Sequence, residues 1–183
     1  MLVSKYQRGD TLIEVLLAFS IFTLVAISTF ALMNRGINTA QQSLETTLVR
    51  QQLDSQAELL RFIHDTNPAI WNEIIKDSNL ATSAGSACYD NLPTGNAFFA
   101  AMPSGSLGRV ALSNTTYAQP MTTSKIDYTA GGKSEGIWVY AVKVNDNDSS
   151  NPIAYDMHIR ACWESVGSGP KSTLGTIVRL YEK

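Results

Sequence analysis

The chain has 183 residues, of which 14 are Lys or Arg and 16 are Asp or Glu, so its formal net charge is −2 at pH 7. This length suits one domain, or one domain with an appendage. The charge balance provides no basic footprint of the kind that binds nucleic acid, which argues against a nucleic-acid-binding protein.

The N-terminal region combines a short basic leader with a long apolar run. Lys5 and Arg8 precede Gly9, and 17 of the 22 residues from Leu12 to Met33 are apolar. A helix of that length spans roughly 33 Å, about the thickness of the hydrocarbon core of a bilayer. The basic leader is expected on the cytoplasmic side, so everything after Arg35 is expected outside.

One carboxylate, Glu14, interrupts the apolar run near its start. A charged group inside a membrane is costly, so Glu14 requires a partner or a function. Two simpler interpretations of the segment stay open. One is a cleaved secretory signal peptide, although the run is long and Ala26-Ile27-Ser28 is a weak cleavage site. The other is an uncleaved signal anchor.

The long helix is predicted to continue well beyond the apolar run. No proline precedes Pro68, so the sequence predicts one helix from Thr11 to about His64. Its apolar face after Met33 is predicted to contain Ile37, Ala40, Leu44, Leu48, Leu53, Ala57, Leu60 and Ile63 or His64. Polar residues, Glu45 among them, are assigned to the other faces. This second half is expected to pack on a globular head.

A second helix and a weakly patterned region follow. Asn67-Pro68 predicts a cap and a first-turn proline, which start a helix that runs to about Lys76. Residues 77–136 are rich in Ser, Thr, Gly, Ala and Asn. They are expected to be irregular, with short strands near 110–112 and 126–128.

The C-terminal part carries the clearest strand signals, at residues 137–144, 153–163 and 174–181. Polar turn segments separate these three runs, which predicts an antiparallel meander. One face of the middle strand is predicted to hold Tyr155, Met157, Ile159, Ala161 and Trp163. That face is expected to be buried against the second half of the long helix.

The chain has two cysteines, Cys88 and Cys162, and both fall in the part expected outside the cytoplasm. An even count in an oxidising compartment predicts one disulfide between them. Two unpaired buried thiols are the alternative.

The residues offer no enzyme chemistry and no cofactor site. The two histidines are far apart, and the sequence has no metal-ligand cluster, phosphate-binding glycine loop or nucleophile elbow. Residues 145–151 carry oxygen ligands at alternating positions, but the turn glycine and closing Glu of a calcium loop are missing. A solvated turn is therefore preferred to a calcium site.

The stretch Arg8-Gly9-Asp10-Thr11-Leu12-Ile13-Glu14-Val15-Leu16-Leu17-Ala18-Phe19 resembles the type IV prepilin motif. This motif is shared by pilins, minor pilins and the pseudopilins of type II secretion and DNA-uptake systems. The resemblance implies an α+β, pilin-like fold, in which a long N-terminal helix with a membrane-spanning first half packs on a C-terminal antiparallel sheet. It divides the chain into a leader (1–9), a transmembrane and assembly helix (10–35) and a globular head (36–183).

The resemblance also assigns roles to the residues of the motif. A prepilin peptidase is expected to cleave between Gly9 and Asp10, and the new amine is usually N-methylated in the family. The first mature residue there is usually Phe or Met, so Asp10 is a departure that bears on methylation. Glu14 is expected to pair with the N-terminal amine of a neighbouring subunit, because such an ion pair in an apolar core fixes register.

The implied function is that of a structural subunit, either a minor pilin or a pseudopilin. The expected partners are other pilin subunits, the prepilin peptidase, an inner-membrane assembly platform with its ATPase, and lipid before assembly. The head is expected outside the cytoplasmic membrane, and the filament in the periplasm or outside the cell. The alternative is a signal-anchored extracytoplasmic module that binds or adheres without polymerising.

Overall fold

The computed structural model describes residues 10–81, 96–101, 107–111, 126, 134–144, 154–165 and 171–182. It contains α1 (Asp10–Thr66), α2 (Pro68–Ile74), a 3₁₀ turn (Asp77–Asn79), β1 (Ala97–Ala101), β2 (Gly108–Ala111), β3 (Ser134–Val144), β4 (Ala154–Trp163) and β5 (Ser172–Tyr181). The chain divides into two compact units, Met1–Gln41 and Gln42–Lys183. The first unit contains the candidate functional segment, and the second is the head.

The head is built on one antiparallel sheet with the strand order β2-β1-β3-β4-β5. β3 and β4 pair from Gly136 opposite Cys162 to Val144 opposite Ala154, and β4 and β5 pair along their whole length. The β3–β4 register shifts between Ser134 and Gly136, where Gly136 has a φ of 91°. This left-handed conformation is costly for residues with a side chain, so glycine suits the irregularity.

The main core lies between the second half of α1 and one face of the sheet. Both elements contribute side chains that are almost fully buried: Val49, Leu53, Ala57, Leu60 and Ile63 from α1, and Phe98, Ile137, Val139, Ala141, Met157, Ile159, Ala161, Trp163 and Val178 from the strands. A smaller buried cluster, with Trp138, Tyr140 and Cys162, lies on the other face of β3 and β4. Both faces of β3 are therefore buried from Ile137 to Ala141, whereas the face of β4 that points away from α1 is only partly buried between Asp156 and Arg160. β5 buries one face.

Two side chains of α1, Gln56 and Glu45, make four hydrogen bonds to β1 and to the end of β4 and the residues after it. The Gln56 amide donates to the Ala100 carbonyl at 3.1 Å and accepts from the Ala100 N–H at 3.3 Å. The Gln56 side chain therefore makes the two backbone hydrogen bonds that a neighbouring strand would otherwise make to Ala100 of β1. Glu45 Oε2 accepts from Trp163 Nε1 at 3.3 Å and from Ser165 Oγ at 2.5 Å. Because these groups are buried, each bond satisfies an atom that would otherwise lose its hydration.

The C-terminal end of α1 is held to the end of β5. His64 Nε2 donates to the Tyr181 carbonyl at 2.9 Å, and the His64 ring meets the Trp71 ring edge-on with centroids 4.8 Å apart. The next helix, α2, begins at Pro68, where the Asn67 side chain accepts from the Ile70 N–H at 3.3 Å. The predicted cap and first-turn proline of this helix are thus confirmed.

The fold class predicted from the sequence is confirmed, with a long N-terminal helix packed on an antiparallel sheet. α1 covers the predicted range, and β3, β4 and β5 match the three predicted strands to within three residues at each end. The predicted inward face of β4, from Tyr155 to Trp163, is buried in the main core.

Two details of the prediction are wrong. The predicted apolar stripe begins at Ile37 and includes Leu44, but both of these side chains are exposed. The stripe that is buried in the structure begins at Glu45 and Val49. A carboxylate occupies this inward position because the indole and hydroxyl donors of Trp163 and Ser165 satisfy it.

The second error concerns the region that was expected to be irregular. It contains a strand, β1, that the prediction missed. Of the predicted strand at 126–128, Ile126 is buried outside any strand, and the other two residues lie outside the described part of the chain.

Candidate membrane and assembly segment

The apolar part of α1 in the first unit has no buried side. All its large hydrophobic side chains from Leu12 to Met33 are exposed, up to 70% for Ile27 and Phe30. A helix that is apolar on every side and exposed on every side requires lipid or an apolar protein environment. By length and composition alone, this helix can cross a membrane.

The hydroxyl side chains in this segment do not make it polar. Ser20, Ser28 and Thr29 donate to the carbonyls of Leu16, Leu24 and Val25, all at 2.8 Å, and Thr23 donates to Ser20 at 2.9 Å. Each hydroxyl is satisfied by its own helix, which lowers the cost of placing it among apolar groups. Four of the five non-apolar residues between Leu12 and Met33 are therefore accounted for locally.

Glu14 is the fifth. Its side chain is exposed, and within the described residues its carboxylate makes no hydrogen bond or ion pair. It lies one helical turn after Asp10, the first described residue of α1. An acid this close to a helix N-terminus is favoured by the helix dipole, but that gain is at most about 1 kcal/mol at an exposed site. The dipole alone is too weak to offset transfer of the carboxylate into an apolar environment.

The other residues expected to be functional are only partly described. Gly9 and Cys88 lie outside the described residues, as does the 145–151 loop that was weighed as a calcium site, and Asp10 is described only as backbone. Cys162 is fully buried and disulfide-bonded. Its pairing with Cys88 stays a prediction. Among the described residues, no group of three or more His, Cys, Asp or Glu is placed to hold a metal ion.

Glu45, which the sequence pattern assigns to a polar face, is a buried group that shapes the head. A signal for it was present, because stepping back four residues from Val49 along the face of Leu53 and Ala57 leads to Glu45. An acid on an otherwise apolar face predicts either an exposed position or a dedicated set of donors. The donors, Trp163 and Ser165, are more than a hundred residues away in the chain.

Comparisons of the chain with protein families, with curated proteins and with solved structures find no match.

Proposed function

We propose that this protein is a structural subunit, a minor pilin or a pseudopilin, of a type IV pilus-like filament. A prepilin peptidase removes residues 1–9, and the subunit assembles through its N-terminal helix. The observation that carries the proposal is that the Glu14 carboxylate makes no hydrogen bond or ion pair with any described residue, although it lies on an apolar segment, Leu12 to Met33, whose large hydrophobic side chains are all exposed. Glu14 lies within the stretch that resembles the prepilin motif.

The physical argument concerns what could satisfy Glu14. Cleavage between Gly9 and Asp10 creates an amine at the start of α1, and in its protonated form that amine carries a positive charge. When helices bundle with a stagger, the amine of one subunit can neutralise the carboxylate of the next. A neighbour in the wrong register leaves a buried charge unpaired, which costs several kcal/mol. The pair therefore selects one register of assembly.

The exposed apolar surface supports the same proposal. Before assembly the segment from Leu12 to Met33 is buried in lipid, and after assembly the same surface is buried against neighbouring helices. The apolar area is out of water in both states, so extraction by an ATP-driven platform does not have to expose it. The head would then lie outside the cytoplasmic membrane, in agreement with the basic leader on the cytoplasmic side.

The competing proposal is a signal-anchored module whose head binds a ligand without polymerising. It is favoured by the location of the core, because every buried side chain among the described residues belongs to Gln42–Lys183. A head that is self-contained in this way needs no filament neighbour to fold. The anchor proposal leaves Glu14 without a function.

The first test is the intact mass and N-terminal sequence of the protein recovered from its native membranes. An N-terminus at Asp10, with or without a methyl group, is the expected result. The sheared extracellular or periplasmic fraction should contain the same species. A chain that keeps Met1 although the host peptidase is active would contradict the filament proposal and favour the anchored module.

A further inference from the structure

The face of the sheet that points away from α1 carries a row of polar side chains on β4. Asp156, His158 and Arg160 alternate there with the buried residues of the main core. In the strand register, Arg160 lies between Trp138 on β3 and Gly175 on β5, and His158 lies opposite Ile177. Arg160 and His158 thus lie beside the apolar side chains of Trp138 and Ile177, and Arg160 also lies beside Gly175, which has no side chain.

These residues line an open groove of about 330 Å³, bounded by Trp138, His158, Arg160, Thr173, Gly175 and Ile177 among others. Gly175 makes room for it. A Cβ atom at this position would lie 3.3 Å from the Ile159 carbonyl oxygen and 3.5 Å from Arg160 Cγ. A side chain on residue 175 would therefore approach the Ile159 carbonyl closely and occupy the space beside the stem of Arg160.

Among the described residues around the groove, the positive charge of Arg160 has no partner. Asp156 is already bound by Arg179, which donates to both carboxylate oxygens at 2.7 and 2.9 Å. Within the described residues, neither Arg160 nor His158 makes a hydrogen bond or an ion pair. Arg160 is partly buried, and a cation that gives up hydration without gaining a partner is less favourable than one that is paired, so an anionic ligand would stabilise it.

The protonation of His158 sets the total charge. Burial lowers the pKa of His158, and the charge of Arg160 lowers it further, while Asp156 acts in the opposite direction. At neutral pH the imidazole is therefore mainly uncharged, and it can donate one hydrogen bond. Among the described residues that line the groove, the positive charge is then that of Arg160.

We propose that this groove binds a carboxylate attached to an apolar group, as at the C-terminal end of a peptide. The carboxylate pairs with the planar fork of Arg160, and His158 donates a further hydrogen bond. The apolar group lies against Ile177 and Trp138, which line the groove. A single positive charge matches a monoanion better than a phosphate dianion, and the apolar borders favour a hydrophobic side chain over a sugar. The site is independent of filament assembly.

The test is an NMR titration of the full chain in detergent micelles, with N-acetyl-leucine as the probe and N-acetyl-leucinamide as its matched neutral control. The Gly175 amide and the Arg160 Nε–H signals report binding locally. We expect the acid to shift both signals saturably. The amide should bind at least roughly tenfold more weakly, because a charge-assisted pair is lost. Equal shifts with acid and amide, or no saturable shift with either, would overturn the proposal.

Variants separate the site from general charge effects. Arg160→Gln should weaken binding of N-acetyl-leucine roughly tenfold or more, and Arg160→Lys should lie between it and the wild type because it keeps the charge without the fork. Lys143→Gln removes the same charge from the opposite face of β3, where Lys143 pairs with Tyr155, and should leave binding unchanged. Equal losses in Arg160→Gln and Lys143→Gln would contradict a local site. Tighter binding of glucuronate than of N-acetyl-leucine would overturn the assignment of an apolar body.

Discussion

Two glutamates in this chain have opposite surroundings. Glu14 is exposed on an apolar helix and makes no hydrogen bond or ion pair within the described residues. Glu45 is 5% exposed and accepts hydrogen bonds from Trp163 and Ser165. A carboxylate that enters an apolar environment requires a partner there, whereas a buried carboxylate with donors in its own fold helps to stabilise that fold. The first therefore bears on assembly, and the second on stability.

Substitution of Glu14 tests its proposed role. Glu14→Ala should leave membrane insertion intact or improve it, because the span loses a charge, yet it should abolish or strongly reduce filament assembly. The measurement is the amount of protein in the sheared filament fraction relative to the membrane fraction. Ser20→Ala is the matched control, since the Ser20 hydroxyl is satisfied by the Leu16 carbonyl. Normal assembly of Glu14→Ala would show that the carboxylate is not an assembly determinant.

Substitution of Glu45 should destabilise the head. Glu45→Ala leaves the buried indole N–H of Trp163 without an acceptor, which costs about 1–3 kcal/mol in the free energy of unfolding. Glu45→Gln keeps an acceptor oxygen and should lose less. Urea unfolding followed by circular dichroism measures the change. The control is Glu58→Ala, which removes an exposed acid that pairs with exposed Arg61, and it should change stability by less than about 1 kcal/mol.

At the scale of elements, the two faces of β4 serve different purposes. The side facing α1 is apolar and buried, and the other side carries Asp156, His158 and Arg160. The hydrogen bond from Arg179 on β5 lowers the pKa of Asp156. His158 has a pKa that is lowered mainly by burial. Both groups hold protons less tightly in the folded chain than in the unfolded one, so both reduce stability on acidification, but over different pH ranges.

The pH dependence of unfolding tests the environment of His158. Because its folded pKa lies below the unfolded value of 6.5, the unfolded state binds more protons, and stability falls as pH drops from about 6.5 towards the folded pKa. His158→Gln should flatten this part of the urea-midpoint profile, and Lys143→Gln should not. The contribution of Asp156 is present above its unfolded pKa of 3.8 and is lost only as pH falls through its lower folded value. An unchanged slope in His158→Gln would contradict the burial argument.

At the scale of the whole molecule, the chain consists of two parts that differ in what they need. The described residues of the first unit bury none of their large apolar side chains. The head has its core, its polar contacts to α1 and its disulfide-bonded Cys162 within Gln42–Lys183. An insertion segment and an independently stabilised head can therefore be separated experimentally.

Truncation tests this division. A fragment of residues 42–183 exported to an oxidising compartment should fold with the near-ultraviolet circular dichroism of the full chain, because it keeps every buried side chain among the described residues. It should also be soluble without detergent, since the exposed apolar run is removed. A fragment that binds a hydrophobic dye and lacks a near-ultraviolet signal would show that the head depends on the first unit.

The sequence by itself determined the parts of this protein that depend on local pattern. The apolar run, the cap at Asn67 and the alternation in β4 each reflect preferences that act over a few residues, and the structure has the corresponding elements. β1 could not be found in this way, because Ala97-Phe98-Phe99-Ala100-Ala101 lacks alternation. This strand is defined by its pairing with β2 and β3 and by the amide of Gln56.

Only the tertiary structure decided which polar groups are satisfied. Glu45 is buried because donors from residues 163 and 165 reach it, and Arg160 meets Gly175 because β4 and β5 pair in one register. Such contacts join positions that are distant in the chain, so no local pattern encodes them. The sequence fixes where the charges and apolar residues are, but the cost of burying a charge depends on partners that only folding brings within hydrogen-bonding distance.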